Sequence, residues 1–164
     1  GLAPGLKGAN ATGRPFTGDY AGVILYHGLA QAGLAVGEYK AKPDDGFTLK
    51  NVRITNAVRC VPPENKPTPA EEKACNPFLI REMAAMPNLK LILSLGGTSH
   101  NAVLRTLKLK ASAYKFGHGA VHRLPSGLVL LDSYHTSRYN VQTGRLTQAM
   151  FDDVVAKARN LLAA

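Results

Sequence analysis

Residues 89–95, Leu-Lys-Leu-Ile-Leu-Ser-Leu, run directly into Gly96-Gly97-Thr98 and then into a stretch with helical spacing through Leu107. A short apolar run that ends on glycines and turns at once into a helix is the strand-to-helix step of an α/β protein. Two further stretches read as strands. Val52–Cys60 is β-branched and largely apolar and reads as a strand ending near Asn56 to Cys60, and Leu128–Leu131 closes on Asp132-Ser133-Tyr134-His135. Helices are expected between them. Asp19 is placed to cap one that buries Val23, Ile24, Leu25 and Leu29 and stops at Gly33. Thr68-Pro69-Ala70-Glu71 has the form of a capping box and starts another, which carries Cys75 and runs to about Met86. A last amphipathic helix starts near Thr147 and presents Phe151, Val154, Val155, Ala158, Leu161 and Leu162. Strands alternating with helices imply an α/β sandwich with a mostly parallel sheet. The expectation is a three-layer α/β/α arrangement around four strands, in one domain spanning residues 1–164.

Glycines 1, 5, 8, 13 and 18 punctuate the opening segment, which is therefore expected to be a long loop or arm. Residues 34–50 and the proline-rich Val61–Pro69 are expected to be loops as well. A glycine-rich loop ordinarily follows a strand, so a chain opening on one is expected to lack the first strand of its sheet, as an amino-terminally truncated domain would. With 164 residues, 45% hydrophobic, the chain is long enough to bury a core, and no apolar run is long enough to span a bilayer. Two cysteines do not make a disulfide scaffold, which favours a reducing, cytoplasmic setting. Twenty Lys and Arg against eleven Asp and Glu, a formal charge of +9, favour polyanionic partners.

In α/β folds ligands bind beyond the carboxyl ends of the strands. The loops expected to converge there are residues 1–19, 56–68, 96–99 and 132–145, the segments rich in Gly, Asn, His, Arg and Ser. Two of them carry recognisable motifs. Gly1-Leu2-Ala3-Pro4-Gly5, Gly13-Arg14-Pro15-Phe16-Thr17-Gly18-Asp19, and Ser133-Tyr134-His135-x-Ser137-Arg138-x-Asn140 with Thr143-Gly144-Arg145 closely resemble the signature motifs of the uracil-DNA glycosylase superfamily, above all its family 5 (type B) branch. The resemblance runs in register over nearly the whole chain. It implies a monofunctional DNA glycosylase of base excision repair, acting as a monomer on DNA that contains uracil or another deaminated base such as hypoxanthine, with no membrane partner.

The resemblance also implies roles. Phe16 would stack on an extruded base, Asn56 would read the uracil O4 and N3–H edge, and Gly1 and Ala3 would line the base pocket. His135 would stabilise negative charge at uracil O2 as the glycosidic bond lengthens. Other branches of the superfamily carry an acid or amide just after the first glycine. This chain has Leu2 there, so the carboxylate that orients water and offsets oxocarbenium charge would be Asp19, with Asn65 as its partner. Arg138, Tyr139 and Asn140 would enter the duplex, with Tyr139 standing where relatives carry Gln. Lys7, Arg14, Lys66 and Arg145 would meet phosphates, with Ser99, Thr98 and Ser137 hydrogen-bonding the same strand. Thr136 replaces the proline or valine of relatives. Cys60 and Cys75 resemble two of the four thiolates of a 4Fe-4S cluster, the other two lying ahead of Gly1. From the residues alone a rival stays open: a non-catalytic α/β module that binds nucleic acid or a nucleotide through the glycine loops and basic rim.

Overall fold

In the computed structural model, which describes residues 1–164, the elements in chain order are α1 (Ala9–Thr12), α2 (Ala21–Gln31), β1 (Ala35–Val36), β2 (Thr48–Leu49), α3 (Pro69–Ala84), β3 (Leu91–Leu95), α4 (Gly97–Thr106), β4 (Val121–Arg123), β5 (Val129–Ser133), α5 (Arg138–Gln142) and α6 (Gln148–Ala163). Short 3-10 turns lie at Pro63–Asn65 and Ala111–Ala113. The chain divides into two compact units, one made of Gly1–Ala3 with Asn56–Tyr134 and the other of Pro4–Thr55 with His135–Ala164. No helix is long and apolar enough to cross a membrane.

The first unit is the α/β part. Its sheet has the order β3-β5-β4, with β3 parallel to β5 in a register from Leu91 opposite Val129 to Leu95 opposite Ser133. β4 is antiparallel to β5, Val121 facing Leu131. The α/β class therefore holds, but the sheet has three strands and only one parallel pairing. β4 is three residues long, too short for a periodicity to announce it. α4 packs on β3 and α3 on α4. Val103, Leu104, Leu124 and Leu130 form the buried cluster, with Ile92, Leu107, Leu109, Tyr114 and Leu128 around it.

The stretch Val52–Cys60 is not a strand. It carries a fragment of ladder in which Ala57 N–H donates to the Gly1 carbonyl at 2.9 Å and Val58 N–H to that of Leu2 at 3.0 Å. β-branched residues suit an extended chain, but a strand exists only where a second chain segment completes the ladder. The capping box is present as expected: Thr68 accepts from the Glu71 amide at 3.3 Å, and the Glu71 carboxylate accepts from the Thr68 amide at 2.7 Å.

In the second unit α2 packs against α6, burying Ile24, Leu25 and Leu29 with Phe151, Val154, Val155 and Ala158. Thr147 caps α6 through the Met150 amide. Residues 34–50, expected to be loop, close into an antiparallel ribbon of β1 and β2. The opening loop holds the single-turn α1, and the loop after His135 holds α5, capped by Ser137. Asp19 does not cap α2: the N-cap is Tyr20, already helical in conformation, with no side-chain capping bond.

Candidate active site

Arg14-Pro15-Phe16-Thr17 is the most tightly tied segment of the second unit. The Arg14 guanidinium makes a two-pronged salt bridge to Asp45, at 2.8 and 2.9 Å, and its Nε donates to Thr17 Oγ1 at 2.8 Å. It also lies over the Tyr26 and Tyr39 rings, 5.4 and 5.6 Å from their centroids. Asp45, held well below the usual carboxylate range chiefly by the Arg14 hydrogen bond, also accepts from the Lys40 and Phe47 amides. The Tyr26 hydroxyl donates to the Pro15 carbonyl, and Tyr39 donates to that of Phe16 at 3.2 Å. Arg14, expected at a phosphate, is thus committed to a network inside the protein.

That network holds Phe16 at φ 54, a left-handed conformation that a bulky side chain reaches only under strain. The cost is of order 1–3 kcal/mol, and such outliers persist where the surroundings over-determine them, typically at functional sites. A β-carbon on Gly22 would lie 1.7 Å from the Phe16 carbonyl oxygen, so only glycine lets this bend seat on α2. The outcome is a buried ring facing His135, centroids 5.9 Å apart and planes tilted by 34°.

His135 begins a loop organised by Asn140. The Asn140 amide Nδ2 donates to the His135 carbonyl at 2.8 Å, its backbone N–H to Ser137 Oγ at 3.3 Å, and its carbonyl accepts from Leu146 at 3.0 Å. Ser137 and Asn140 therefore shape the loop. Arg138 is exposed and lies over the Tyr20 ring at 5.4 Å, and Tyr139 is 71% exposed. Thr136 is fully buried with its hydroxyl unpaired. Burial pushes the His135 imidazole down to about 4, so at neutral pH it is uncharged. Asp19 Oδ1 is buried with no hydrogen-bond partner, and the residue neither caps a helix nor pairs with a cation.

In the first unit Asn56 is buried and its Oδ1 is likewise unpaired. Gly1 and Ala3 are half-buried, the Gly1 carbonyl taking the Ala57 amide beside Asn56. Asn65 is exposed, at φ 56 in the turn after Pro63. Ser99 is buried in α4, whereas Lys66 in this unit and Lys7 and Arg145 in the other are exposed. Cys75 Sγ accepts the Arg59 amide at 3.5 Å, and Cys60 is exposed. Two sulfurs do not close a four-thiolate set, so the residues of this chain do not by themselves fit a 4Fe-4S cluster.

The residues alone gave no sign of one buried network. Asp132, fully buried on β5, accepts from Ser94 Oγ at 2.6 Å and lies 2.8 Å from His100 Nδ1 and 2.9 Å from His122 Nε2. The other nitrogen of His100 faces the Tyr114 carbonyl at 2.8 Å. Two ligands of a tetrahedral zinc ion stand ~3.4 Å apart. These direct contacts are shorter, and the group is a satisfied hydrogen-bond network. Asp132→Ala strips the buried donors of their acceptor and should cost about 3 kcal/mol, read as a lowered urea midpoint.

Comparison with known proteins gives a consistent picture. The profile of the Uracil DNA glycosylase superfamily matches residues 1–159. The chain is 47% identical over 161 residues to the Type-5 uracil-DNA glycosylase of Thermus thermophilus, covering 98% of this chain and 73% of that protein. It is 43% identical over 163 residues to that of Mycobacterium bovis, spanning 98% of this chain and 61% of the relative. A Type-4 uracil-DNA glycosylase of Thermotoga maritima is 35% identical over 100 residues, 60% of this chain and 44% of that protein.

Proposed function

The chain belongs to the uracil-DNA glycosylase superfamily, and on that premise we propose that it hydrolyses the N-glycosidic bond of uracil in DNA, as a repair glycosylase that flips the nucleotide out of the helix. The observation that carries this reading is the strained Phe16 set against a neutral His135, in the same unit as a carboxylate with no structural employment.

Phe16 supplies a stacking face for the flipped base. The unpaired Asn56 Oδ1 accepts the uracil N3–H, and its Nδ2 donates to O4. As the bond between C1′ and N1 breaks, its electron pair stays on the base and charge gathers at O2. A neutral His135 donates a hydrogen bond to that oxygen without first giving up a proton. Asp19 sets a positive sugar against its own negative charge and orients the water whose oxygen bonds to C1′, with Asn65 assisting, while the proton that water gives up ends on the departing uracil anion. Tyr139, exposed on α5, fills the gap left by the flipped nucleotide, flanked by Arg138 and Asn140, while Lys7, Lys66 and Arg145 meet phosphates. Leu2 in place of an acid leaves a pocket that also admits other deaminated bases such as hypoxanthine. Cys60 and Cys75 would give two of the four thiolates of a 4Fe-4S cluster, in a bracing role, since excision moves no electron.

The product identifies the reaction. Free uracil and a strand that stays whole until alkali is added support hydrolysis without a lyase step; a strand nicked before alkali contradicts it. Asn56→Ala should lower uracil excision by about 10- to 100-fold, the loss of one well-placed two-bond contact. Hypoxanthine excision should fall less. Equal losses on both bases would contradict the edge-reading role.

A further inference from the structure

The opening loop closes over Asp19. A β-carbon on Gly5 would lie 2.8 Å from Asp19 Oδ2, and one on Gly8 would lie 2.2 Å from that oxygen and 2.8 Å from Asp19 Cγ. Gly8 has φ −95 and ψ −115, between the α and β regions, so glycine there meets a need for space beside Asp19 together with a need for backbone freedom. The loop is braced on both sides of the acid. Gly8 and Asn10 amides donate to the Gly5 carbonyl at 3.2 and 3.1 Å, and the Thr12 hydroxyl lies 3.0 Å from the Gly8 carbonyl and 2.9 Å from that of Thr17. None of these bonds goes to the carboxylate, whose Oδ1 stays unpaired. The loop confines Asp19 by shape, and the volume a methyl group would need on Gly8 is the volume Oδ2 occupies.

We infer that Gly5 and Gly8 are positioning residues, whose missing side chains seat the Asp19 carboxylate for its part in excision. The inference rests on the catalytic reading of Asp19 given above. A methyl at Gly8 displaces the carboxylate, and one at Gly5, where the approach is longer, displaces it less. The glycines then act only through Asp19, which separates this role from a contribution to folding or to DNA binding.

Single-turnover excision of uracil from a duplex oligonucleotide, with DNA affinity measured in parallel, tests this on Gly8→Ala, Gly5→Ala, Asp19→Asn and the Gly8→Ala/Asp19→Asn pair. Gly8→Ala should lower the rate constant by about 10- to 100-fold with affinity kept within about twofold, and Gly5→Ala should lower it less. In the Asp19→Asn background Gly8→Ala should cost nothing further. Wild-type rate in Gly8→Ala, or losses that multiply in the double variant, would overturn the inference while leaving the function intact. Full activity in Asp19→Asn would instead remove the catalytic reading, and the positioning role with it. Should Gly8→Ala fail to fold by circular dichroism, Gly5→Ala and its pair with Asp19→Asn decide the matter by the same criterion.

Discussion

Replacing His135 with alanine should slow uracil excision by about two to three orders of magnitude, the size of effect seen when one preorganised donor to a developing oxyanion is removed. Affinity for uracil-containing duplex should stay within a few-fold. That split matters, because a module that merely binds nucleic acid would lose binding about as much as anything else. The pH dependence follows from burial. With the imidazole pushed down to about 4, the donor is neutral throughout the range from pH 5.5 to 8, and the excision rate should show no inflection near the ordinary histidine value of about 6.5 that vanishes in His135→Ala.

The same burial has a consequence for stability, with the opposite pH sense from a salt-bridged histidine. Because the native value lies below the unfolded one, the unfolded chain binds the proton more readily between pH 6.5 and 4. Stability is therefore complete above about pH 6.5 and declines as pH falls through that window, by roughly 3 kcal/mol in all. His135→Ala should flatten that part of the profile. An unchanged slope in the variant would contradict the assignment.

Asp19→Asn is the second large effect expected, a fall of at least ~100-fold in the rate constant of excision. Its value lies in what should not change. An N-cap aspartate replaced by alanine ordinarily costs about 1 kcal/mol, and capping is the competing use for this residue. Here Tyr20 occupies the cap and Asp19 Oδ1 has no partner. Asp19→Ala should therefore leave the thermal midpoint unchanged or raised, because a buried unpaired acceptor has been removed. A drop of several degrees with activity retained would mean that the acid is structural.

What could be read from the residues and what could not divide along a physical line. The Thr68 capping box, the step from β3 through Gly96 into α4, and the apolar face of α6 depend on neighbours a few positions away, and the structure contains all three. Val52–Cys60 has the right residues for a strand, but its pairing of Ala57 and Val58 with the Gly1 and Leu2 carbonyls does not grow into one. Asp19 stands one position ahead of where a cap would act, a difference no propensity resolves. β1, β2, β4, α1 and α5 are too short to leave a period in the sequence.

The candidate site was legible at His135, Phe16 and Asp19 because their surrounding motifs are distinctive. The strain at Phe16 and the part Gly22 plays in it were not legible, since both arise from backbone approaching backbone. Nor was the fate of Arg14, whose partner Asp45 lies 31 residues away in a polar stretch with no local signal of pairing. The Asp132 network was hidden for the same reason, its three side-chain partners coming from β3, α4 and β4.

The most direct measurement is also the simplest: folded protein is incubated with a labelled duplex holding one uracil, the abasic sites are cleaved with hot alkali, and the strands are resolved on a denaturing gel. A single shortened strand, ending at the uracil position and all but absent with His135→Ala, is the result expected. Intact strands from protein whose circular dichroism shows it folded would contradict the assignment of Phe16, Asp19 and His135 as an excision site.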